Sequence, residues 1–117
     1  MENTDLYWVA GIIEGEGCFQ LDERYTNPQI IIKVAMTDED IIQRLYTATG
    51  LGKVNGPYGP YRGKEQPIYH WTITKRLDAL PFLREIYPIM GIRRKEQIDA
   101  ILTRFHEHVW VDKRVRG

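Results

Sequence analysis

Two glutamates near the N-terminus stand where carboxylates are locally unfavourable and could serve a metal ion. Residues 5–14 carry apolar side chains at helical spacing, and Gly15 and Gly17 follow them and predict the end of the helix. Glu14 and Glu16 therefore lie at a helix C-terminus, where the macrodipole disfavours a carboxylate by up to ~1 kcal/mol. Carboxylates and free helix-end carbonyls are ligands for hard divalent cations. The two acids are thus candidates for a metal site, unless both are simply hydrated at a frayed helix end.

Two glycines in the same segment suggest that another helix packs closely against it. Gly11 and Gly15 are four residues apart and so share one face of the predicted helix. Glycine inside a helix costs ~1 kcal/mol relative to alanine. Two glycines on one face are therefore expected where a neighbouring backbone must approach, although the segment is too short and too acidic to span a membrane.

The spacing of apolar residues along the chain predicts the helices and strands that must position the glutamate and glycine segment. Strands are predicted where apolar residues alternate, and helices where they recur every three or four residues. Thr37 is the expected N-cap of the second helix, Gly50 its expected end, and Pro81 is placed in the first turn of the third. The predicted order is αββαββαα, with helices at residues 5–14, 37–50, 78–87 and 93–109 and strands at residues 18–24, 29–36, 53–58 and 68–73. We expect an α+β fold in which helices cover one face of a four-stranded antiparallel sheet.

The other face of the predicted sheet has no covering element. Its side chains are polar, of mixed charge, and able to donate and accept hydrogen bonds, as reading base edges in a DNA groove requires. Antiparallel sheets also commonly leave one face to solvent, so the pattern alone leaves both interpretations open. The residues on this face are Gln20, Asp22, Arg24, Gln29, Lys33, Asn55, His70 and Thr72.

Charge and composition narrow the classes of protein. The 117 residues have 16 basic and 16 acidic side chains, which give no net charge and at first argue against nucleic acid as a partner. However, residues 1–50 sum to −6 and residues 51–117 to +6, an asymmetry that hints at polyanion binding. The single cysteine, Cys18, excludes an internal disulfide, and no apolar run suits a membrane span or a signal peptide. We expect a soluble intracellular protein that does not enter membranes.

The segment from Trp8 to Phe19, WVAGIIEGEGCF, resembles the signature of the LAGLIDADG homing endonucleases, DNA-cleaving enzymes of introns and other mobile elements. Small residues, glycine, acid, glycine, acid and glycine fall in register with that signature, and an alternating strand follows at once. The resemblance covers nearly the whole chain. It implies a single-motif endonuclease domain at residues 1–110 followed by a basic tail at residues 111–117.

The resemblance also implies roles for individual residues. Glu16 takes the place of the acid that binds Mg²⁺ (or Mn²⁺) over the scissile phosphates, with the Gly15 carbonyl as a further ligand, and Glu14 looks like a structural acid. Arg94 aligns with a catalytic lysine near the scissile phosphate, and it keeps the charge but not the titratable amine. Some members place a glutamine at the end of the second strand to position the attacking water, and residues 35–38 contain none.

One motif supplies half of a two-fold active site, so the resemblance implies a homodimer on a long palindromic or pseudo-palindromic duplex. Ala10, Gly11 and Gly15 are expected in the dimer interface. The expected DNA contacts are Gln20, Asp22, Arg24, Gln29, Lys33, Asn55, Arg62, Lys64, His70, Thr72 and Lys95. Two alternatives stay open, namely a relative that binds DNA or RNA without cutting it, and an α+β interaction domain whose dimer is structural.

Overall fold

The computed structural model describes residues 1–60, 62–63 and 66–110. The predicted DNA contact Lys64 and the predicted tail at residues 111–117 lie outside these residues.

The predicted order of elements is confirmed. The described residues form four α-helices, one short 3-10 helix and four strands: α1 (Asn3–Glu16), β1 (Gly17–Asp22), β2 (Gln29–Met36), α2 (Glu39–Thr49), β3 (Lys53–Tyr58), β4 (Ile68–Ile73), α3 (Arg76–Ile86), the 3-10 helix (Tyr87–Ile89) and α4 (Ile92–Glu107). Among these helices none has the length and apolar character needed to cross a membrane.

The four strands form one antiparallel sheet in the order β1-β2-β4-β3. β1 starts directly after α1, and its pairing with β2 sets Gly17 opposite Val34 and Asp22 opposite Gln29. The β1–β2 turn therefore lies at the opposite end of β1 from Glu16. β4 pairs with β2 so that Ile73 lies opposite Ile32, and the chain leaves β4 towards the same end as that turn.

The helices bury one face of this sheet, as predicted. Alternate residues of β2, namely Ile30, Ile32 and Val34, are fully buried, and so are Trp71 and Ile73 of β4. α1, α2 and α3 pack against β2, while α4 packs against β1. These contacts leave the other sheet face open, because the described helices all lie on the buried side.

Several predicted boundaries need correction. α1 continues through Gly15 and ends at Glu16. Its C-cap is Gly17, whose N–H bonds the Ile13 carbonyl and where a Cβ would lie 2.6 Å from that oxygen. The N-cap position of the second helix is Asp38 rather than Thr37, without a side-chain capping bond, and Gly50 follows the helix in the left-handed conformation, as expected.

The remaining corrections concern β1, α3 and α4. β1 ends at Asp22, because Arg24 lies in the turn and binds the Asp22 carboxylate with Nη2–Oδ2 at 2.7 Å. α3 begins at Arg76, earlier than predicted, so Pro81 is its sixth residue and not in its first turn. α4 ends at Glu107, and Val109 is an exposed residue beyond it.

Candidate metal and DNA site

The two glutamates at the end of α1 have different surroundings. Glu14 turns towards α4, where its Oε1 accepts a hydrogen bond from the Gly91 N–H. Its Oε2 lies 3.6 Å from Nε of Arg94, and its backbone carbonyl accepts a bond of 3.1 Å from the same Nε. A carboxylate at the N-terminus of α4 interacts favourably with the dipole of that helix. Contacts within the chain therefore offset the unfavourable position of Glu14 on α1 without a metal ion.

Glu16 has no comparable support. It is the last residue of α1, it is exposed, and its carboxylate forms no hydrogen bond or ion pair with any part of the chain that the structure describes. Gly15, one residue earlier, belongs to the last turn, whose carbonyls have no partner within the helix. The end of α1 thus presents one free carboxylate next to the backbone of Gly15, which is an exposed residue.

This donor set suits a hard cation but supplies only part of a coordination shell. Mg²⁺ prefers six oxygen ligands and usually keeps several waters beside one or two carboxylates. Glu16 and the Gly15 carbonyl would supply two such oxygens. The described residues contain no cluster of three or more His, Cys, Asp or Glu side chains that could hold a metal alone. Beyond the described residues, water, substrate phosphate or a second copy of the chain would be sources of further ligands.

Arg94 lies between α1 and α4 and is 6% exposed. Besides its contacts with Glu14, its Nη1 donates to Oε1 of Gln97 at 3.0 Å, and its guanidinium lies 5.5 Å from the ring centre of Phe19. The side chain is therefore occupied inside the chain, behind the end of α1. The side chain of the adjacent Lys95 instead contacts Tyr87, with Nζ 5.5 Å from the ring centre. Catalytic action by Arg94 and DNA contact by Lys95 stay predictions.

One face of α1 has no partner within the described chain. Tyr7 is 63% exposed, and Gly11 and Gly15 follow it at intervals of four residues on the same side. A Cβ added to Gly11 or Gly15 would meet no atom within 4 Å. Ala10 belongs to a different side of α1 and is 1% exposed in the core, so its predicted place in a dimer interface needs correction. A one-residue step along a helix turns the side chain by ~100°, which separates Ala10 from Gly11.

The open sheet face brings most of the predicted DNA contacts together. The strand register sets Lys33 beside Thr72, and it sets His70 between Ala35 and Asn55. Gln20 and Gln29 belong to the same face on β1 and β2, since they pair with Ile31 and Asp22 respectively.

This face also contains Cys18 and Lys53, which the sequence prediction missed. Their register with Lys33 and Thr72 completes a row across all four strands. Lys53 could have been predicted, because side chains two residues apart in a strand share one face and Lys53 precedes Asn55 by two residues in β3. Arg24 belongs to the turn instead of this face, and the exposed Arg62 lies in the β3–β4 loop.

Charges on and beside this face shift two pKa values. Hydrogen bonds from Arg24 lower the pKa of the Asp22 carboxyl, so this acid and base largely neutralise each other. Partial burial, and then the nearby charge of Lys33, lower the pKa of His70. His70 also packs against Tyr58, with ring centres 4.8 Å apart. The face therefore places a histidine of lowered pKa near Lys33.

Comparison with solved structures identifies the fold. The homing endonuclease I-CvuI in complex with its target matches with a TM-score of 0.68 and 16% identity, over 88% of this chain and 66% of that one. The homing endonuclease I-TnaI matches with a TM-score of 0.66 and 19% identity over 86% and 71%. The LAGLIDADG meganuclease I-AabMI bound to uncleaved DNA matches with a TM-score of 0.69 and 12% identity over 86% and 36%.

The predicted resemblance is thus confirmed at the level of the fold, which is that of a LAGLIDADG half-unit. The chain spans about two thirds of the length of I-CvuI and about a third of that of I-AabMI. No protein-family model and no curated protein matches the sequence.

Proposed function

We propose that this chain is a site-specific DNA endonuclease that hydrolyses a long palindromic or pseudo-palindromic duplex as a homodimer, with Mg²⁺ or Mn²⁺. The observation that carries the proposal is the free carboxylate of Glu16, which lies where the unpartnered face of α1 meets the start of the open sheet. The likeness in fold to DNA-bound homing endonucleases supports it.

We infer a homodimer because a single chain has one Glu16 carboxylate and an α1 face that no described residue covers. Pairing two copies through Tyr7, Gly11 and Gly15 would bring two α1 helices into backbone contact and place two Glu16 carboxylates side by side. The two sheets would then continue in opposite directions from the pair. A two-fold axis through the α1 pair requires a target with matching symmetry.

Different residues would bind the metal ion, position its ligand and bind DNA phosphates. Glu16 and the Gly15 carbonyl would hold the divalent ion, which when bound neutralises charge on the transferred phosphoryl group and lowers the pKa of an attacking water. Glu14, Gly91 and Arg94 fix the last turn of α1, and so fix the direction of the Glu16 backbone. Lys33 and Lys53 supply positive charge on the open face for DNA phosphates.

Selection of cleaved molecules from a randomised duplex library, in the presence of Mg²⁺, tests activity, symmetry and specificity together. We expect recovered sites to have two-fold symmetry. Glu16→Gln should abolish cutting and leave DNA binding intact, whereas Glu2→Gln, which removes another exposed carboxylate, should change neither. Full cleavage by the Glu16→Gln protein would refute the metal assignment.

A second candidate function is binding of DNA or RNA without cleavage. It is favoured by the engagement of Arg94 with Glu14 and Gln97, and by the absence of glutamine from Ala35, Met36 and Thr37 at the end of β2. Selection for binding, without Mg²⁺, followed by addition of Mg²⁺ to the selected duplexes distinguishes the two. Tight binding with no product would favour this candidate.

A further inference from the structure

A groove of about 720 Å³ opens beside the β1–β2 turn, at the opposite end of β1 from Glu16. Tyr25 and Gln29 line one side of it, and Lys75, Arg76 and Leu77 line the other. Trp110 also lines the groove and lies under the guanidinium of Arg76, whose Cζ is 4.8 Å from the ring centre. This groove is separate from the metal site and from the unpartnered face of α1.

The groove continues the open sheet face. Gln29 contributes to both surfaces, since it pairs with Asp22 on the open face and also lines the groove. β1 carries the sheet ~17 Å away from Gly17 at about 3.3 Å per residue. At 3.4 Å per base pair this corresponds to about five base pairs. A duplex that follows the sheet outwards from Glu16 therefore reaches the groove as it leaves the sheet.

The chemistry of the groove suits a sugar-phosphate backbone. Lys75 and Arg76 are exposed, and neither forms an ion pair with any described residue. Leu77 is 82% exposed and Tyr25 is 62% exposed, which provides apolar surface beside the two cations. Cations bind phosphate oxygens, and most hydrogen bonds between proteins and DNA go to phosphate and sugar.

The turn that forms one wall is held in place. Glu23 pairs with Nε of Arg104 in α4, and Asn27 bonds Nε2 of His108 at 3.1 Å. Both contacts join the β1–β2 turn to residues more than 80 positions later in the chain. One wall of the groove is therefore fixed by contacts with the C-terminal part of the described chain.

We propose that this groove binds the backbone of duplex DNA beyond the base pairs that the sheet contacts. The inference rests on the proposed DNA binding and extends it to flanking DNA. It adds affinity that is independent of sequence, because phosphates carry no base identity.

The test uses one duplex selected for binding, prepared with ten additional base pairs at each end and again trimmed to the symmetric site. The Lys75→Gln/Arg76→Gln protein should bind the long duplex several-fold more weakly than the original protein, with a salt slope smaller by about 1.8 for two lost phosphate contacts. The double variant and the original protein should bind the trimmed duplex with equal affinity. Arg84→Gln, in the last turn of α3 and outside the groove, is the matched control and should change neither affinity.

Equal losses on the long and trimmed duplexes would overturn the assignment to flanking DNA, and so would no loss on either. A loss confined to a single-stranded oligonucleotide of the same sequence would instead identify the groove as a single-strand site and refute the duplex. If the original protein selects no duplex at all, both the proposed function and this inference fail. If it selects a duplex but the double variant shows equal losses or no loss, only this inference fails.

Discussion

Nε of Arg94 lies 3.1 Å from the backbone carbonyl oxygen of Glu14 and 3.6 Å from its Oε2. One guanidinium thus contacts both the backbone and the side chain of a residue in the last turn of α1. The Gly91 N–H binds the other carboxylate oxygen of Glu14, so the start of α4 holds the end of α1 at three points. Glu16, two residues later, owes its position to this connection.

Replacing Arg94 with methionine should lower the free energy of unfolding by about 2 kcal/mol, because it removes charge-assisted hydrogen bonds and leaves the Glu14 carbonyl without its donor. Denaturant unfolding of the Arg94→Met protein measures this change. Arg93→Met is the matched control, since Arg93 is exposed on the same turn of α4 and its replacement should change stability by less than about 0.5 kcal/mol. Equal stability of the two variants would contradict a structural role for Arg94.

Gly91→Ala should weaken the same connection from the other side. A Cβ at this position would lie 2.5 Å from Oε1 of Glu14, so the carboxylate must move and its bond to the Gly91 N–H is lost. We expect a loss of about 1 kcal/mol beyond the intrinsic cost of alanine as an N-cap. A double-mutant cycle with Glu14→Ala isolates the loss that comes from the carboxylate. Gly91→Ala should lower the free energy of unfolding by this additional amount only when the Glu14 carboxylate is present. Additive effects would show that the carboxylate and Gly91 are not coupled.

Gly11→Leu separates folding from the proposed dimer. A Cβ at position 11 meets no atom within 4 Å, and leucine favours a helix over glycine by up to ~1 kcal/mol. Thermal unfolding of the variant monomer should therefore occur at the same temperature or higher. Sedimentation at micromolar concentration should show loss of the dimer, while Gln43→Leu on the exposed side of α2 should keep it. A dimer that survives Gly11→Leu would place the interface elsewhere.

The lowered pKa of His70 makes stability fall in acid. Its pKa is lower in the folded chain than the ordinary value of 6.5. The unfolded chain therefore binds more protons as the pH falls below about 6.5, and the free energy of unfolding decreases. Urea unfolding at pH 7.5 and 5.5 should show a smaller decrease for His70→Gln than for the original protein. Lys33→Gln should also reduce the decrease, because it removes the positive charge that contributes to the shift. An unchanged decrease in both variants would refute the prediction.

Local patterns in the sequence were sufficient for the elements and for the open sheet face. Apolar alternation placed β2 at Gln29–Met36 and β4 at Ile68–Ile73, and both bounds are confirmed. These features are predictable because side-chain direction in a strand alternates residue by residue, so burial is recorded in neighbouring positions. Helix ends were less well predicted, since Gly15 can continue a helix and α1 ends only at Glu16, before Gly17 takes an extended conformation.

The sequence by itself determined the order of elements, the glycine face of α1 and the presence of two acids at its end. Only the tertiary structure decided that Glu14 is bound by Gly91 and Arg94 while Glu16 has no partner in the described chain, and that Ala10 is buried while Gly11 is exposed. The physical reason is distance along the chain. Gly91 follows Glu14 by 77 positions, so their contact depends on how α1 and α4 pack, which no local periodicity encodes.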